Sequence, residues 1–307
     1  MSRIFEALQQ SESDRMGSTL TPVSAVELVQ AAELVNAAKR PPASADEPTR
    51  EVHEFGQIKA LMMVGAPENR VVSLTHQGSL GAEKLRLLAL RLKTMKETRK
   101  LKKVLITSTM PEEGKSLISA NLAITLARSK HLKTLLLECD LRRPTLAHVL
   151  FGQALPGLSE YLQTSVALNQ VTYEAAPSGF FLLPAGSPPM NPLELMQSGK
   201  FQGLLDELSA HFDWIVIDSP PTMPLADTSL LMKLVDGVLI VVREGVIEKK
   251  PLQRTIEMVP PAQLLGIVLN SSSSTDSKKY YQRYAALKVT SPEATPAPQS
   301  EEGTADN

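Results

Sequence analysis

The residue types best suited to chemistry stand in three short stretches. The first, residues 108–116, is Ser-Thr-Met-Pro-Glu-Glu-Gly-Lys-Ser. A Gly-Lys-Ser between a strand and a helix sets backbone N–H groups and a helix N-terminus around an anion. There Lys115 would reach the β- and γ-phosphates of a nucleotide and Ser116 would ligate Mg²⁺. The common pattern G-x-x-x-x-G-K-[ST] wants glycine at 109, where Thr109 stands, and Glu112 and Glu113 bring negative charge beside the phosphates. A Gly-Lys-Ser is also common by chance. The second stretch, "LLLECDLRRP", puts Glu138 and Asp140 on alternate positions, hence on one side of a strand end. The third, "WIVIDSPP", ends an apolar run on Asp218, where a carboxylate can hold Mg²⁺ directly or through water. Each of these acids could equally cap a strand or form a turn. All three elements in this order favour one shared nucleotide site.

The elements that must position them follow from the pattern of apolar runs. These are "KVLITS" (103–108), "TLLLECD" (134–140), "FFLLPAG" (180–186), "WIVIDSP" (214–220), "GVLIVVR" (237–243) and "LLGIVLN" (264–270). Helical segments lie between them, including "GKSLISANLAITLARS" with Leu122 and Leu126 at helical spacing. Near-continuous apolar strands separated by helices predict a doubly wound, mostly parallel α/β sheet with helices on both faces. Its expected span is 78–275. Residues 1–77 read as a largely disordered or helical extension with a Pro- and charge-rich linker, and 276–307 as a disordered tail.

Composition narrows the classes. Apolar residues make up 43% of 307, enough for a sizeable core, and the formal charge of −1 gives no global field for nucleic acid. Cys139 is the single cysteine, so there is no intramolecular disulfide framework. The five histidines show no metal-ligand spacing. No run approaches the roughly 20 apolar residues of a membrane span. The N-terminal "MSRIFEALQQ" reads as a weakly helical tail or as a docking peptide for a membrane partner.

The motif set resembles the bacterial tyrosine kinases (BY-kinases) of capsule and exopolysaccharide synthesis, relatives of the ParA/MinD-type ATPases. "LITSTMPEEGKSLISANLA" is similar to their Walker A, "LLLECDLRRP" to their Walker A′ and "IVIDSPP" to their Walker B. "GLSEYL", "LLPAGSPPMNPLELM", "DGVLIVVREG" and "LLGIVLN" extend the likeness over about 80 to 275. The resemblance implies a P-loop fold and transfer of the ATP γ-phosphate to tyrosine. It implies ATP and Mg²⁺ as cofactors and a nucleotide loop of Pro111, Glu113, Gly114, Lys115, Ser116 and Leu117. It implies Ser116, Asp140 and Asp218 at the metal, and Lys115, Glu138, Asp140 and Asp218 as the catalytic set, with Glu138 as base or hydroxyl-orienting group. Three departures stand out: Glu112 where the family has glycine, Glu138 where it has aspartate, and Ala89 at the third position of an E-x-x-R-x-x-R helix otherwise matched by Glu83 and Arg86.

The acceptors implied are Tyr280, Tyr281 and Tyr284, three of the chain's five tyrosines; a packed terminal helix is the plainer alternative. Glu83 and Arg86 could pair with a neighbouring subunit of a homo-oligomer or with each other. Residues 91–103 hold seven Lys or Arg against Glu97, either a solvated helix end or a contact for a membrane activator or anionic lipid. By resemblance the partners are a membrane-embedded polysaccharide co-polymerase and a cognate phosphatase, with no nucleic acid. The place is the cytoplasm, at the inner face of the membrane through that partner. Two other readings remain: a nucleotide-binding scaffold without catalysis, and a ParA/MinD-like ATPase.

Overall fold

The computed structural model describes residues 58–64, 70–129, 131–223 and 227–271. The extension at 1–57 and the tyrosines at 280, 281 and 284 lie outside them. Eight strands form one sheet: β1 (Lys59–Met62), β2 (Lys103–Ser108), β3 (Thr134–Glu138), β4 (Tyr173–Ala176), β5 (Phe180–Leu183), β6 (Trp214–Asp218), β7 (Gly237–Arg243) and β8 (Leu264–Asn270). Their order is β1-β4-β5-β3-β6-β2-β7-β8. Every pairing is parallel except β4 with β5.

Ten helices accompany them among the described residues: α1 (Val72–Thr75), α2 (Leu80–Thr98), α3 (Lys115–Ala127), α4 (Leu146–Phe151), α5 (Leu158–Gln163), α6 (Leu168–Val171), α7 (Pro192–Gln197), α8 (Gly199–His211), α9 (Asp227–Met232) and α10 (Lys249–Met258). The central strands are apolar without a break because both faces are covered. Leu135, Leu137, Ile215 and Ile217 enter one core with Phe201, Leu204 and Leu208 of α8. Leu136, Trp214 and Val216 enter the other with Leu92 of α2, Leu122 and Leu126 of α3, and Leu146 of α4. The edge strands β1 and β8 are more exposed.

α3 is the central helix, with every residue from Ile118 to Leu126 buried. α2 starts on Ser79, whose side chain accepts the N–H of Ala82, and buries Ala82, Leu85, Ala89 and Leu92 at helical spacing.

Three expectations change. The sheet begins at Lys59 and α1 lies at 72–75, so ordered elements precede the expected start at 78. The hairpin β4–β5 was half visible: β4 is four residues, two of them alanine, too short and too weakly apolar to stand out. The runs ending at 140, 186 and 220 overran their strands, which stop at Glu138, Leu183 and Asp218. Burial continues past those points while the ladder ends, and the overrun residues form the loops of the site.

Candidate nucleotide site

β2, β6 and β3 are neighbours in the sheet, so the loops that follow them meet at one edge, where ligands bind in open α/β sheets. The loop after β2 closes on Glu113. This fully buried side chain accepts the N–H of Met110 at 2.7 Å and that of Arg243 at 3.3 Å. One of the two glutamates is therefore part of the loop's own framework, facing inward to the backbone. The other, Glu112, is exposed, with φ at 65°. That conformation suits glycine and is strained for glutamate. Thr109 fits without glycine: it is buried and its carbonyl accepts the N–H of Met223.

Gly114 follows at φ 93° and caps α3. A Cβ there would come within 2.1 Å of Nδ2 of Asn270, which donates to the Glu113 carbonyl at 2.9 Å. The loop is thus pinned from β8 at a point only glycine can occupy. Pro111 is exposed, and Ser116 and Leu117 are partly exposed in the first turn of α3. The leading N–H groups of a helix have no partner within it, so they are available to an anion.

Lys115 meets Asp140 at 3.0 Å between Nζ and Oδ2. The other oxygen of Asp140 accepts the N–H of Arg143 at 3.1 Å. Burial alone would lower the Lys115 ammonium, but Asp218, Asp140 and Glu138 outweigh it and raise its pKa. Asp218 is fully buried. Its Oδ1 accepts the Ser119 hydroxyl at 3.1 Å, and its Oδ2 has no hydrogen-bond partner. Burial pushes its pKa from 3.8 to about 7, against the pull of Lys115 and the Ser116 hydroxyl. The two upward shifts have different causes: three carboxylates surround Lys115, whereas Asp218 keeps a bare oxygen in a dry place.

Glu138 departs from expectation. The strand stops there, so alternation does not carry on to Asp140. Its Oε1 accepts the N–H groups of Thr145 and Leu146 at 2.6 and 2.8 Å, and its Oε2 accepts that of Ala185 at 3.0 Å. The longer arm reaches the start of α4 and the loop after β5 and ties them together. Burial raises its pKa, with those three bonds opposing. Lys115, Asp140 and Asp218 thus converge, while both oxygens of Glu138 are taken up by backbone.

Sequence reasoning missed the pairing of Arg142 with Asp227. Nε of Arg142 donates to Oδ2 at 2.7 Å and an Nη donates to Oδ1 at 3.3 Å. Asp227 is buried, and the bond to it holds the Arg142 pKa up. Arg142 lay in the quoted Walker A′ stretch; nothing local marked Asp227 as its partner. Asn121, two turns into α3, holds α1 by accepting the N–H of Ser73 at 2.8 Å.

Away from the site, Glu83 and Arg86 pair with each other, and Arg86 also donates to the Gln77 carbonyl. Ala89 is buried, so α2 turns that position into its own core. Four of the seven basic side chains at 91–103 bond within the domain: Lys93 to Ser129, Lys96 to the Asp213 carbonyl, Arg99 to that of Ala262 and Lys102 to that of Ser209. Lys96 also lies 4.4 Å over the Trp214 ring. Cys139 is buried, which pushes its thiol pKa well up. No helix among the described residues is long and apolar enough to cross a membrane.

A mostly parallel sheet with a glycine-lysine-serine loop after β2 and acids at the ends of the next two strands on one side, β6 and β3, defines a P-loop nucleotide-binding protein. The chain belongs to the bacterial tyrosine-protein kinases. It is 30% identical over 215 residues to the tyrosine-protein kinase YwqD of Bacillus subtilis, covering 69% of this chain and 90% of that one. The crystal structure of the chimerical protein CapA2B2 matches with a TM-score of 0.63 at 28% identity, covering 72% and 94%. The kinase domain of the Escherichia coli tyrosine kinase ETK matches at 0.58 and 28%, covering 67% and 82%. No family model matches the chain.

Proposed function

We propose that this chain moves the γ-phosphoryl of ATP onto tyrosine hydroxyls, releasing ADP and a proton, with Tyr280, Tyr281 and Tyr284 as its own acceptors. The observation that carries the reading is the Lys115–Asp140 pair at 3.0 Å beside the unpartnered, buried Oδ2 of Asp218. A buried carboxylate oxygen with no donor is costly unless a cation meets it. Mg²⁺ is held by one or two carboxylates together with substrate phosphates, so Asp218, Asp140 and the Ser116 hydroxyl fit it. When bound, the ion supplies charge neutralisation on the phosphates.

The remaining work falls to the chain. Lys115, aligned by Asp140, gives a fixed positive charge; Glu113 and Gly114 fix the loop that presents its N–H groups; Glu138 fixes the walls. Phosphoryl transfer through a loose transition state rests on positioning and charge more than on a strong base. The engagement of Glu138 by three N–H groups is therefore compatible with transfer. The same engagement favours a second reading, a nucleotide-binding scaffold without transfer. By resemblance the setting is control of capsule or exopolysaccharide synthesis, as a homo-oligomer docked on a membrane-embedded co-polymerase at the inner face of the membrane and reset by a phosphatase.

The purified chain is incubated with Mg·ATP and probed for phosphotyrosine, beside Lys115→Met and a chain with phenylalanine at 280, 281 and 284. The kinase reading predicts signal in the wild type, a loss of about 100-fold or more in Lys115→Met, and loss in the triple variant. Nucleotide binding without any phosphotyrosine, with the activator's cytoplasmic tail supplied, would support the scaffold instead.

A further inference from the structure

The sheet ends at β8, and β8 is bare on one face. It pairs with β7, and among the described residues no strand lines its outer edge. Side chains alternate along a strand. Val268 packs against the core that holds Leu92 of α2 and Leu122 of α3, so Ile267 and Leu269 stand on the opposite face, where they are 49% and 53% exposed. That is the side of α10, whose Leu252 and Ile256 turn into the first core. α10 leaves them uncovered. Its buried Thr255 meets the Thr222 hydroxyl at 2.8 Å in the loop after β6, three strand positions in from β8, which draws the helix toward the centre of the sheet. Val246, just before α10, and Met258, at its end, add further exposed apolar surface. An apolar edge strand of seven residues open in this way invites another segment.

The chain itself supplies that segment. Ser271 follows β8 with φ at 55°, and its N–H donates to Oδ1 of Asn270 at 2.9 Å, so the backbone leaves the line of the strand at once. Residues 272–276 are Ser-Ser-Ser-Thr-Asp, a connection of common length, and Ser277 suits a helix N-cap. Beyond it Tyr280, Tyr284 and Leu287 recur at i, i+4 and i+7, the apolar stripe of an amphipathic helix. As a helix, residues 277–289 would be roughly 20 Å long. The strand they would cover is of the same order, roughly 23 Å. Tyrosine suits such a place, with a ring for the apolar face and a hydroxyl for the wet margin. The N-terminal segment 1–57 instead joins the sheet at β1, the opposite edge.

We propose that residues 277–289 dock as a helix on the bare face of β8 beside α10, with Tyr280, Tyr284 and Leu287 against Ile267 and Leu269. Tyr281 then stands about 100° round the helix from Tyr280, on a flank open to solvent. The inference needs the surface and the tail, not the kinase reading. To that reading it adds an order: Tyr281 is the open acceptor, while Tyr280 and Tyr284 are held against the sheet until the helix lifts. A phosphate carries a charge of roughly −1.5 to −2, which is costly to bury on an isoleucine and a leucine. Phosphorylation at 280 or 284 therefore keeps the helix off, and the docked form is the unphosphorylated one.

Hydrogen exchange on the full, phosphatase-treated chain tests the docking. Amides of 279–287 are expected to exchange about tenfold or more slowly in the wild type than in a chain carrying both Ile267→Asp and Leu269→Asp. Those positions are too exposed for the change to unfold the sheet, and unchanged protection of β2 and β6 checks that it has not. Equal exchange of 279–287 in the two chains would overturn the proposal. A benzophenone amino acid at position 284, irradiated in the full chain, is expected to cross-link within one molecule to Ile267 or Leu269. Cross-links to other residues alone, or none, would overturn it. So would cross-links that form only between isotopically light and heavy chains, which would assign the face to a second copy. Neither readout uses phosphate transfer, so a chain that makes no phosphotyrosine removes the kinase reading and leaves the docked helix to be judged on its own.

Discussion

Two glutamates and two aspartates lie buried at the carboxyl ends of β2, β3 and β6, and they differ in what their oxygens meet. Glu113 and Glu138 take backbone N–H groups from two and three residues respectively and hold loops. Asp140 and Asp218 face Lys115; Asp140 takes one local N–H, that of Arg143, and Asp218 keeps a buried oxygen with no hydrogen bond of normal length. The longer side chain reaches across to neighbouring backbone; the shorter one stays at the strand end with its charge turned to the site. The wall of the site and its floor are thus made from the same functional group at two arm lengths.

The sharpest way to break that division is to remove a wall acid. Glu138→Ala leaves three N–H groups unpaired, those of Leu146 and Ala185 buried and that of Thr145 partly buried; at about 1–3 kcal/mol for each buried group, a loss of about 2 kcal/mol or more is expected in urea denaturation. Glu113→Ala frees only two, one of them from a long bond, and should cost less. Equal losses, or a neutral Glu138→Ala, would mean that Glu138 is no strut.

A floor acid should behave oppositely. The Asp218 pKa is raised by burial from 3.8 to about 7 in the folded chain. Its favourable contribution is complete below 3.8 and is lost as pH rises through about 7. Asp218→Asn escapes that loss, so without Mg²⁺ it should be more stable than the wild type at pH 8, and the gap should close toward pH 4. Thermal unfolding across that range reads the difference. A gap that widens toward acid would contradict the assignment.

The smallest effect is expected at the exposed glutamate. Left-handed backbone at Glu112 costs roughly 1–2 kcal/mol, and glycine's extra unfolded freedom returns roughly 0.5–1 kcal/mol of that. Glu112→Gly should therefore gain at most about 1.5 kcal/mol, and Glu112→Val should lose stability. A large loss in Glu112→Gly would show that the carboxylate has a structural task that its exposure conceals.

The central strands and their order of chemistry were legible because a strand buried on both faces leaves a near-unbroken apolar run. The run at 214–218 and the acid that ends it could be read directly. β1 and β4 were not legible: four-residue strands near an edge carry little apolar signal, and their partner choice is set by the tertiary fold. At the site, Lys115, Asp140 and Asp218 announced themselves by position. The task of Glu138 did not, because it depends on donors at 145, 146 and 185 that only folding brings near. The same holds for Asp227, which is 85 residues from Arg142, and for Ala89, whose burial shows that α2 uses that position internally.

The division between wall and floor is tested most directly by the Mg²⁺ dependence of ADP affinity, measured calorimetrically for the wild type, Asp218→Asn and Glu138→Gln. The account predicts that Mg²⁺ tightens ADP in the wild type and in Glu138→Gln, and fails to do so in Asp218→Asn. Retention of the Mg²⁺ effect in Asp218→Asn together with its loss in a folded Glu138→Gln would contradict it.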